Sequence, residues 1–270
     1  MKSVFGKLIV LVLLTPFVFW IHCGKDNPAD STRSVKNTDF VAEESFSFSV
    51  DVKDHAGLRL EGINGNVIIT GLSESDSVMI TGEKRVGSES MQDAEDHLQK
   101  LEVSVTDLLS EIFVKTIQPD QTYGRSYVVD YTITLPKSLQ VLANNDNGTV
   151  RIDSINNRIS VDNVNGQVIL NEVFGSAFVN LVNGQIEGKV TLPLAGTADM
   201  STVNGNIELD IPHSTSAEFS ASVTHGIITI SNLVLQNEVR TPTSRSGTLG
   251  DGQGTISLST INGNISISGF

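Results

Sequence analysis

The chain has 270 residues, a formal net charge of −13 and only 6% aromatic residues. This length gives room for one large or two small domains with a substantial core. The negative charge argues against binding to nucleic acid or, unaided, to anionic lipid, because neither target supplies the positive charge that would offset it.

The first 22 residues have the organisation of an export signal. Lys2 and Lys7 form a positive start, and an apolar run of 14 residues follows at positions 8–21. A run of this length is short for a membrane span but typical of a signal peptide. We therefore predict that residues 1–22 direct export.

Cys23, the only cysteine of the chain, follows the apolar run directly. Its position resembles the lipobox of bacterial lipoproteins, in which the cysteine becomes the first mature residue and carries acyl chains. Trp20 and His22 depart from that pattern, and an ordinary cleaved signal is the alternative. With lipid on Cys23, the protein would be anchored to a membrane without spanning it, and Gly24 is compatible with the outer membrane or cell surface.

Residues 24–39 are polar, contain a proline and lack periodicity, which predicts a flexible tether. We assign residues 23–45 to a lipidated N-terminus followed by this flexible linker. Folded structure is expected to begin with the alternating residues Phe46, Phe48 and Val50, which indicate a half-buried strand. We assign residues 46–142 to an N-terminal β-rich part.

A short helix is predicted near residues 88–101, where the β pattern is interrupted. Ser88 or Ser90 can cap it, and acidic residues precede a basic one, as the helix dipole favours. We expect it to cover an open end of the fold and to block strand addition there. Its apolar residues recur at intervals of three or four: Met91, Ala94, Leu98 and Leu101.

A short corner motif recurs along the chain. An apolar residue precedes Asn-Gly, and a β-branched residue follows two positions after the glycine. Apolar residues also recur at positions −7, −5, −2, +2 and +4 from each glycine, so that each copy predicts strand, corner, strand. The corner residues are Asn64-Gly65, Asn165-Gly166, Asn183-Gly184, Asn204-Gly205 and Asn262-Gly263, with the glycine retained at Gly148 and Gly226.

The spacing of the corners predicts how the strands are arranged. Gly148, Gly166 and Gly184 lie 18 residues apart, and Gly205 and Gly226 follow at intervals of 21. Two strands and two corners in each interval indicate the stacked coils of an all-β solenoid, a right-handed, single-stranded β-helix with one short capping helix. We assign residues 143–270 to this repeat; a series of β-hairpins in a sandwich is the alternative.

The asparagines of the corners form a column with a structural interpretation. In stacked coils their amides can hydrogen-bond one another or the corner backbone. We therefore predict an amide ladder rather than a ligand site. A loop at residues 236–254 then precedes a last coil at residues 255–270, which is expected to close the chain.

No residue pattern for catalysis, metal binding or a cofactor is found. The five histidines have no metal-ligand spacing, and the segment at 144–148 lacks the acids of a calcium loop. We expect the acids of the repeat not to line up into a catalytic pair on one face, although a sequence cannot exclude a pair formed across coils. They are Asp153, Asp162, Glu172, Glu187, Glu208 and Asp210.

Residues 45–270 resemble the bacterial adhesin-like domains of unknown function, relatives of the head-GIN auto-transporter adhesins. The resemblance implies a β-repeat fold and no catalytic motif, and it is a poor guide to function. It rests on Gly62-Ile63-Asn64-Gly65, the tandem Val-Asn-Gly corners, the helix before Leu101-Glu102-Val103, the strand end Thr132-Ile133-Thr134-Leu135-Pro136, and the closing segment from Gly252-Gln253-Gly254 to Ile261-Asn262-Gly263-Asn264-Ile265.

The sequence therefore predicts an exported, membrane-anchored lipoprotein without catalytic activity. Its flat β faces would bind an unknown protein or glycan at the cell envelope, as an adhesin does. One alternative is a structural or stress-signalling component that faces the periplasm or the cell wall. A more remote alternative is an enzyme acting on polysaccharide.

Overall fold

The computed structural model describes residues 34–52 and 55–270. The predicted export signal, Cys23 and residues 23–33 of the predicted linker lie outside this part of the chain. Within it, no helix is long and apolar enough to cross a bilayer.

The described residues form one helix, α1, at Met91–Leu98, and twenty-one strands. The first ten strands are β1 Phe40–Asp51, β2 Gly57–Glu61, β3 Val67–Leu72, β4 Ser77–Ser88, β5 Glu102–Asp107, β6 Glu111–Ile117, β7 Ser126–Pro136, β8 Gln140–Asn147, β9 Val150–Asp153 and β10 Ile159–Asn165. The others are β11 Val168–Phe174, β12 Ala177–Asn183, β13 Ile186–Thr191, β14 Thr197–Asn204, β15 Ile207–Ile211, β16 Ala217–His225, β17 Ile228–Ser231, β18 Gln236–Arg240, β19 Ser244–Leu249, β20 Gly254–Asn262 and β21 Ile265–Gly269.

The strands form two sheets, and each coil contributes one strand to each of them. The ten-stranded sheet has the order β1-β4-β7-β3-β9-β11-β13-β15-β21-β17. The eleven-stranded sheet has the order β18-β19-β16-β20-β14-β12-β10-β8-β2-β6-β5. Neighbouring coils pair in parallel, as in β10 with β12 and β11 with β13. The predicted solenoid-like all-β fold is therefore confirmed, and both sheets run through the predicted boundary at residues 142 and 143.

The order of the coils departs from the order of the chain at both ends. The last coil, β20–β21, lies between β14–β15 and β16–β17, with which both of its strands pair. The coil β2–β3 likewise lies between β6–β7 and β8–β9. The last coil of the chain is therefore not the last coil of the stack, because the predicted loop before it, which contains β18 and β19, carries the chain back by one coil position.

The core is the narrow space between the two sheets. In one coil, Met200 and Ile207 have no exposed surface and Leu209 is 1% exposed. Full burial of such a side chain contributes about 1.5–3 kcal/mol, and every coil repeats it. Position −2 from the glycine is apolar in the sequence pattern but does not belong to the core, because Val203 is 38% exposed. The inward residue there is Thr202, at position −3, which is 4% exposed.

The corner glycines allow the coils to stack closely. Gly184 has φ +140° and Gly166 has φ +135°, values that other residues rarely adopt. A Cβ atom on Gly184 would lie 1.6 Å from the carbonyl oxygen of Gly166, in the coil before it. A side chain at this position would therefore force neighbouring coils apart.

The predicted amide ladder is present and runs along one edge of the stack. In each step the Nδ2 of one asparagine donates to the Oδ1 of the asparagine in the neighbouring coil, over 2.7–2.9 Å. Asn64 ends the series by donating to the carbonyl oxygen of Tyr127. The ladder also includes Asn147, which the corner motif did not predict. Its members, in order, are Asn64, Asn147, Asn165, Asn183, Asn204 and Asn262.

We expect Asn183→Leu to lower the free energy of unfolding by about 1–2 kcal/mol, because it removes two ladder hydrogen bonds at an exposed edge. Urea denaturation of purified protein measures the change. Val182→Leu, at the exposed neighbouring position, is the control and should be nearly neutral. Equal stability of the two variants would contradict a stabilising role for the ladder.

The structure extends further towards the N-terminus than predicted, since β1 begins at Phe40 rather than at Phe46. The strand is antiparallel to β4 over its whole length, and this pairing orders residues 40–45. These six residues of the predicted linker are therefore part of the sheet.

The predicted helix is confirmed, with Ser90 as its N-cap, whose hydroxyl accepts a hydrogen bond from the backbone N–H of Asp93. The helix packs against β1 and β4. It extends neither sheet, and the edge strands at this end are β1 and β5. That the helix blocks strand addition at this end, where it packs against the edge strand β1, stays a prediction.

Candidate functional site

The outer face of the eleven-stranded sheet presents a row of partly exposed side chains, four of them large, across five neighbouring strands. The row follows the pairing register from one strand to the next, and its ends are four strand spacings apart, about 19 Å. Its members, from β6 to β12, are Phe113, Arg59, Leu142, Ser160 and Phe178. We call this set the aromatic row.

Each phenylalanine of the aromatic row is covered by a guanidinium group. The Cζ atom of Arg59 lies 4.0 Å from the ring centre of Phe113, and that of Arg158 lies 4.0 Å from the ring centre of Phe178. Arg59 also forms an ion pair with Glu111, with 3.7 Å between Nε and Oε1. Stacking of this kind fixes the planes of both groups and leaves flat, polarised surfaces for a ligand.

A cavity of about 360 Å³ adjoins the aromatic row where the strands of this sheet begin. Leu142 and Ser160 belong to both. The cavity adds charged and amide groups to the row, because its lining also includes Glu111, Gln140 and Arg158. The combination of a shallow apolar floor with hydroxyl, amide and charged groups is typical of sites that bind polar ligands.

Two further rows accompany the aromatic row on the same sheet. In the first, Asn180 donates to Asp162 over 2.8 Å, and Ser201 donates to Asn180 over 2.9 Å. The second lies beside the amide ladder and consists of the exposed aliphatic residues at position −2, which are Val164, Val182, Val203 and Ile261. The face therefore offers aromatic, polar and aliphatic rows that repeat at the strand spacing.

Titratable groups with shifted pKa values lie away from this face. Arg125 holds the pKa of Asp93 at about 2, through hydrogen bonds of 2.6 and 2.8 Å to its two carboxylate oxygens. Burial lowers the pKa of His97 and raises the pKa of Tyr127, which packs against it. Burial raises the pKa of Tyr131 to about 12. The Asp93–Arg125 ion pair and the contact between His97 and Tyr127 join α1 to the start of β7.

Two acids of the repeat lie side by side on neighbouring strands, which the sequence did not predict. Glu187 and Glu208 occupy the same position after their glycines and are direct neighbours on β13 and β15. The expectation that they do not line up is therefore wrong. They lie on the open outer face of the ten-stranded sheet, where Gln167 donates to Glu187 over 2.6 Å. Such a flat surface encloses no substrate.

The structure places the predicted corner residues along one edge of the stack, while Cys23 lies outside the described residues. Among residues 34–52 and 55–270, no group of three or more His, Cys, Asp or Glu side chains could hold a metal ion. The aromatic row was not predicted. A possible signal was the presence of phenylalanines at outward strand positions, but their alignment depends on strand order.

The family model described as Toastrack DUF4097 matches residues 64–268, about three quarters of the chain. No curated protein sequence gives a significant match.

Three solved structures resemble the chain at low similarity. A "putative cell adhesion protein" from Clostridium sporogenes is 14% identical, with 85% of this chain and 100% of that chain covered and a TM-score of 0.48. A "putative adhesin" from Bacteroides fragilis is 14% identical, with coverage of 84% and 97% and a TM-score of 0.34. Another from Parabacteroides merdae is 15% identical, with coverage of 87% and 99% and a TM-score of 0.33.

At such low identities and TM-scores, these likenesses support no statement about function. The family match is different, because it covers most strands of both sheets and all of the corner residues from Asn64 to Gly263. The chain belongs to the Toastrack DUF4097 family.

Proposed function

We propose that the protein is a non-catalytic, adhesin-like binding protein of the cell envelope that holds an extended glycan on its eleven-stranded sheet. The observation that supports this most directly is the aromatic row on a flat face, together with the arginines that stack on its two phenylalanines. Sugar rings present apolar faces and many hydroxyl groups, and both can be matched by such a surface. The adhesion-related names of the solved neighbours agree with the proposal but add no weight to it.

A glycan fits this face better than a protein partner does. Protein interfaces of ordinary size need a closely packed apolar core of buried aromatic and aliphatic anchors. Here Phe113 and Phe178 are half-buried and lie four strands apart, with Arg59, Leu142 and Ser160 between them. A linear polymer that crosses the strands could contact one row member for each strand spacing.

We expect Phe178→Ala to weaken glycan binding roughly tenfold, because it removes one stacking surface and releases Arg158 from its fixed position. The assay is co-sedimentation with insoluble polysaccharides, including isolated peptidoglycan sacculi, and affinity electrophoresis in soluble ones. Phe174→Ala is the matched control, since Phe174 is 51% exposed and lies at the corner between β11 and β12. Equal binding by both variants, with both folded, would contradict the proposal.

In this proposal, lipid on Cys23 anchors the protein to the membrane, and the folded part lies on the outer surface of the cell. Protease treatment of intact cells would digest a surface-exposed protein, whereas a protein facing the periplasm would resist until lysis. Resistance to protease on intact cells would favour the alternative role as a structural or signalling component within the envelope.

A further inference from the structure

The two sheets end at different levels at one end of the stack. The ten-stranded sheet stops at β17, whereas the eleven-stranded sheet continues past β16 with the antiparallel strands β19 and β18. The inner side of the β18–β19 hairpin therefore faces a space that no strand of the ten-stranded sheet occupies. We call this space the end groove.

The first wall of the end groove is the free edge of β17. This strand pairs with β21, and the carbonyl oxygen of Ile227 accepts a hydrogen bond from the N–H of Ile265 over 3.0 Å. Because the backbone groups of alternate residues point to opposite sides of a strand, Ile228 and Ile230 direct their N–H and C=O groups to the open side. An added strand could bond to these groups.

The second wall is basic. Arg245 is in register with Ala221, which is only 3% exposed, so the Arg245 side chain lies on the inner side of the hairpin. Arg240 is paired with Arg245 in the register of β18 and β19. The Oε1 atom of Glu238 lies 3.4 Å from the Nη1 atom of Arg245. Arg240 has no ion-pair partner among the residues described. Two guanidinium groups thus lie together in a chain whose net charge is −13.

The space between the two walls is about 520 Å³ and lies beside the corner at Gly226. Its floor is apolar, since Ile227 is 68% exposed and Ile228 is 7% exposed. Further along, Leu233 and Leu235 pack against the core and cover the end of the stack. The groove is thus restricted to the part near Gly226, where Arg240 and Arg245 also lie.

We propose that the end groove binds an extended acidic segment of a partner protein by strand addition to β17. The segment would place a carboxylate beside Arg240 and Arg245 and an apolar side chain over Ile227 and Ile228, which line the groove. Backbone bonds to a sheet edge provide affinity, and charge and side-chain pockets provide specificity. This site lies at the end of the stack and does not depend on the proposed glycan face.

The test uses residues 34–270 and a fluorescein-labelled peptide, Ser-Glu-Ser-Val-Ser-Val-Ser, with a second peptide in which lysine replaces glutamate. We expect the acidic peptide to bind in fluorescence anisotropy, the lysine peptide not to bind, and added salt to weaken binding. Hydrogen exchange should show that the amides of Ile228 and Ile230 become protected. Peptide binding without protection of these amides would overturn the proposal of strand addition to β17.

The variant Arg240→Glu should bind the acidic peptide on the order of tenfold more weakly, because attraction is replaced by repulsion. Val239→Glu is the matched control. It introduces a glutamate at the neighbouring position of the same strand, where Val239 is 61% exposed, and it changes the net charge by −1 instead of −2. It should retain binding. Equal losses in both variants, or none in either, would overturn the proposal.

A second copy of the chain is the competing occupant, because the edge strands at the other end, β1 and β5, contain Glu43, Asp51, Glu102 and Asp107. Sedimentation velocity over a range of concentrations detects such association. Self-association that Arg240→Glu abolishes and Val239→Glu preserves, without peptide binding, would overturn the proposal in favour of end-to-end assembly.

Discussion

Gly184→Ala is expected to lower the free energy of unfolding by about 3 kcal/mol or more, or to prevent folding. Two costs add at this corner. The φ of +140° is strained for alanine, and the added methyl group would lie 1.6 Å from the carbonyl oxygen of Gly166. Because Gly205 stacks on the other side of Gly184, a shift of this corner disturbs two interfaces between coils. Urea denaturation followed by circular dichroism measures the change.

Gly188→Ala is the control for this prediction. Gly188 lies within β13, has no positive φ, and a Cβ atom there would meet the side chains of Leu209 and Met200 at 3.2 and 3.3 Å. Flexible side chains can yield by a few tenths of an ångström, so we expect a cost of about 1 kcal/mol or less. If the two variants are equally stable, the close stacking of the corner glycines does not limit stability.

The second large effect is expected for Asp93→Asn, which should cost about 3–5 kcal/mol at neutral pH. Asp93 is 9% exposed and Arg125 is 4% exposed, and two hydrogen bonds join their charged groups. Removal of the carboxylate charge takes from a buried guanidinium the negative charge that accepts two of its hydrogen bonds. The loss should be visible in chemical denaturation. Glu95→Gln, at an exposed position of the same helix, is the control and should change stability little.

The same pair predicts a pH dependence. The pKa of Asp93 is about 2 in the folded protein, below its ordinary value of 3.8, so its ionised form is favoured by folding. The stability gained, roughly 2 kcal/mol, is fully present above the ordinary pKa and is lost as the pH falls from about 4 towards 2. We therefore expect the difference between wild type and Asp93→Asn to narrow over that range. A constant difference would contradict this assignment.

These two predictions concern the two ways in which the fold is held together. Inside the stack, identical corners and buried aliphatic residues repeat from coil to coil, so stability is shared among many similar interfaces. At the helix, the buried ion pair between Asp93 and Arg125 joins α1 to the residue that precedes β7. Steric changes should therefore lower the stability of the coil interfaces, whereas changes of charge or pH should weaken the attachment of the helix.

The sequence by itself predicted the features that depend on neighbouring residues. The corners could be identified because asparagine and glycine tolerate backbone conformations that other residues avoid. The helix could be identified because apolar spacing and a capping serine are local signals. Stacked coils followed from the regular spacing of the corners. The amide ladder followed from the stacking, although Asn147 was missed because Asp146 replaces the usual apolar residue before it.

One local error has a geometric cause. The chain turns at each corner, so the alternation of inward and outward residues shifts by one position there. As a result, Val203 and its equivalents point outward, although their spacing indicated burial. The buried positions are taken instead by Thr202, Thr260, Asn145 and Asn163. The side chains of the last three donate hydrogen bonds to corner carbonyl oxygens of neighbouring coils.

Only the tertiary structure decided which coils are neighbours. The insertion of β20–β21 before β16–β17 joins residues far apart in the chain, and no local pattern specifies it. Strand order in turn decided which side chains form the aromatic row, because Phe113, Arg59 and Phe178 become aligned only when β6, β2, β8, β10 and β12 lie side by side. It also decided that one sheet ends before the other, which creates the end groove. A sequence specifies the conformation of each coil through local interactions, whereas the surfaces for binding arise from contacts between coils, which are formed only when the whole core is packed.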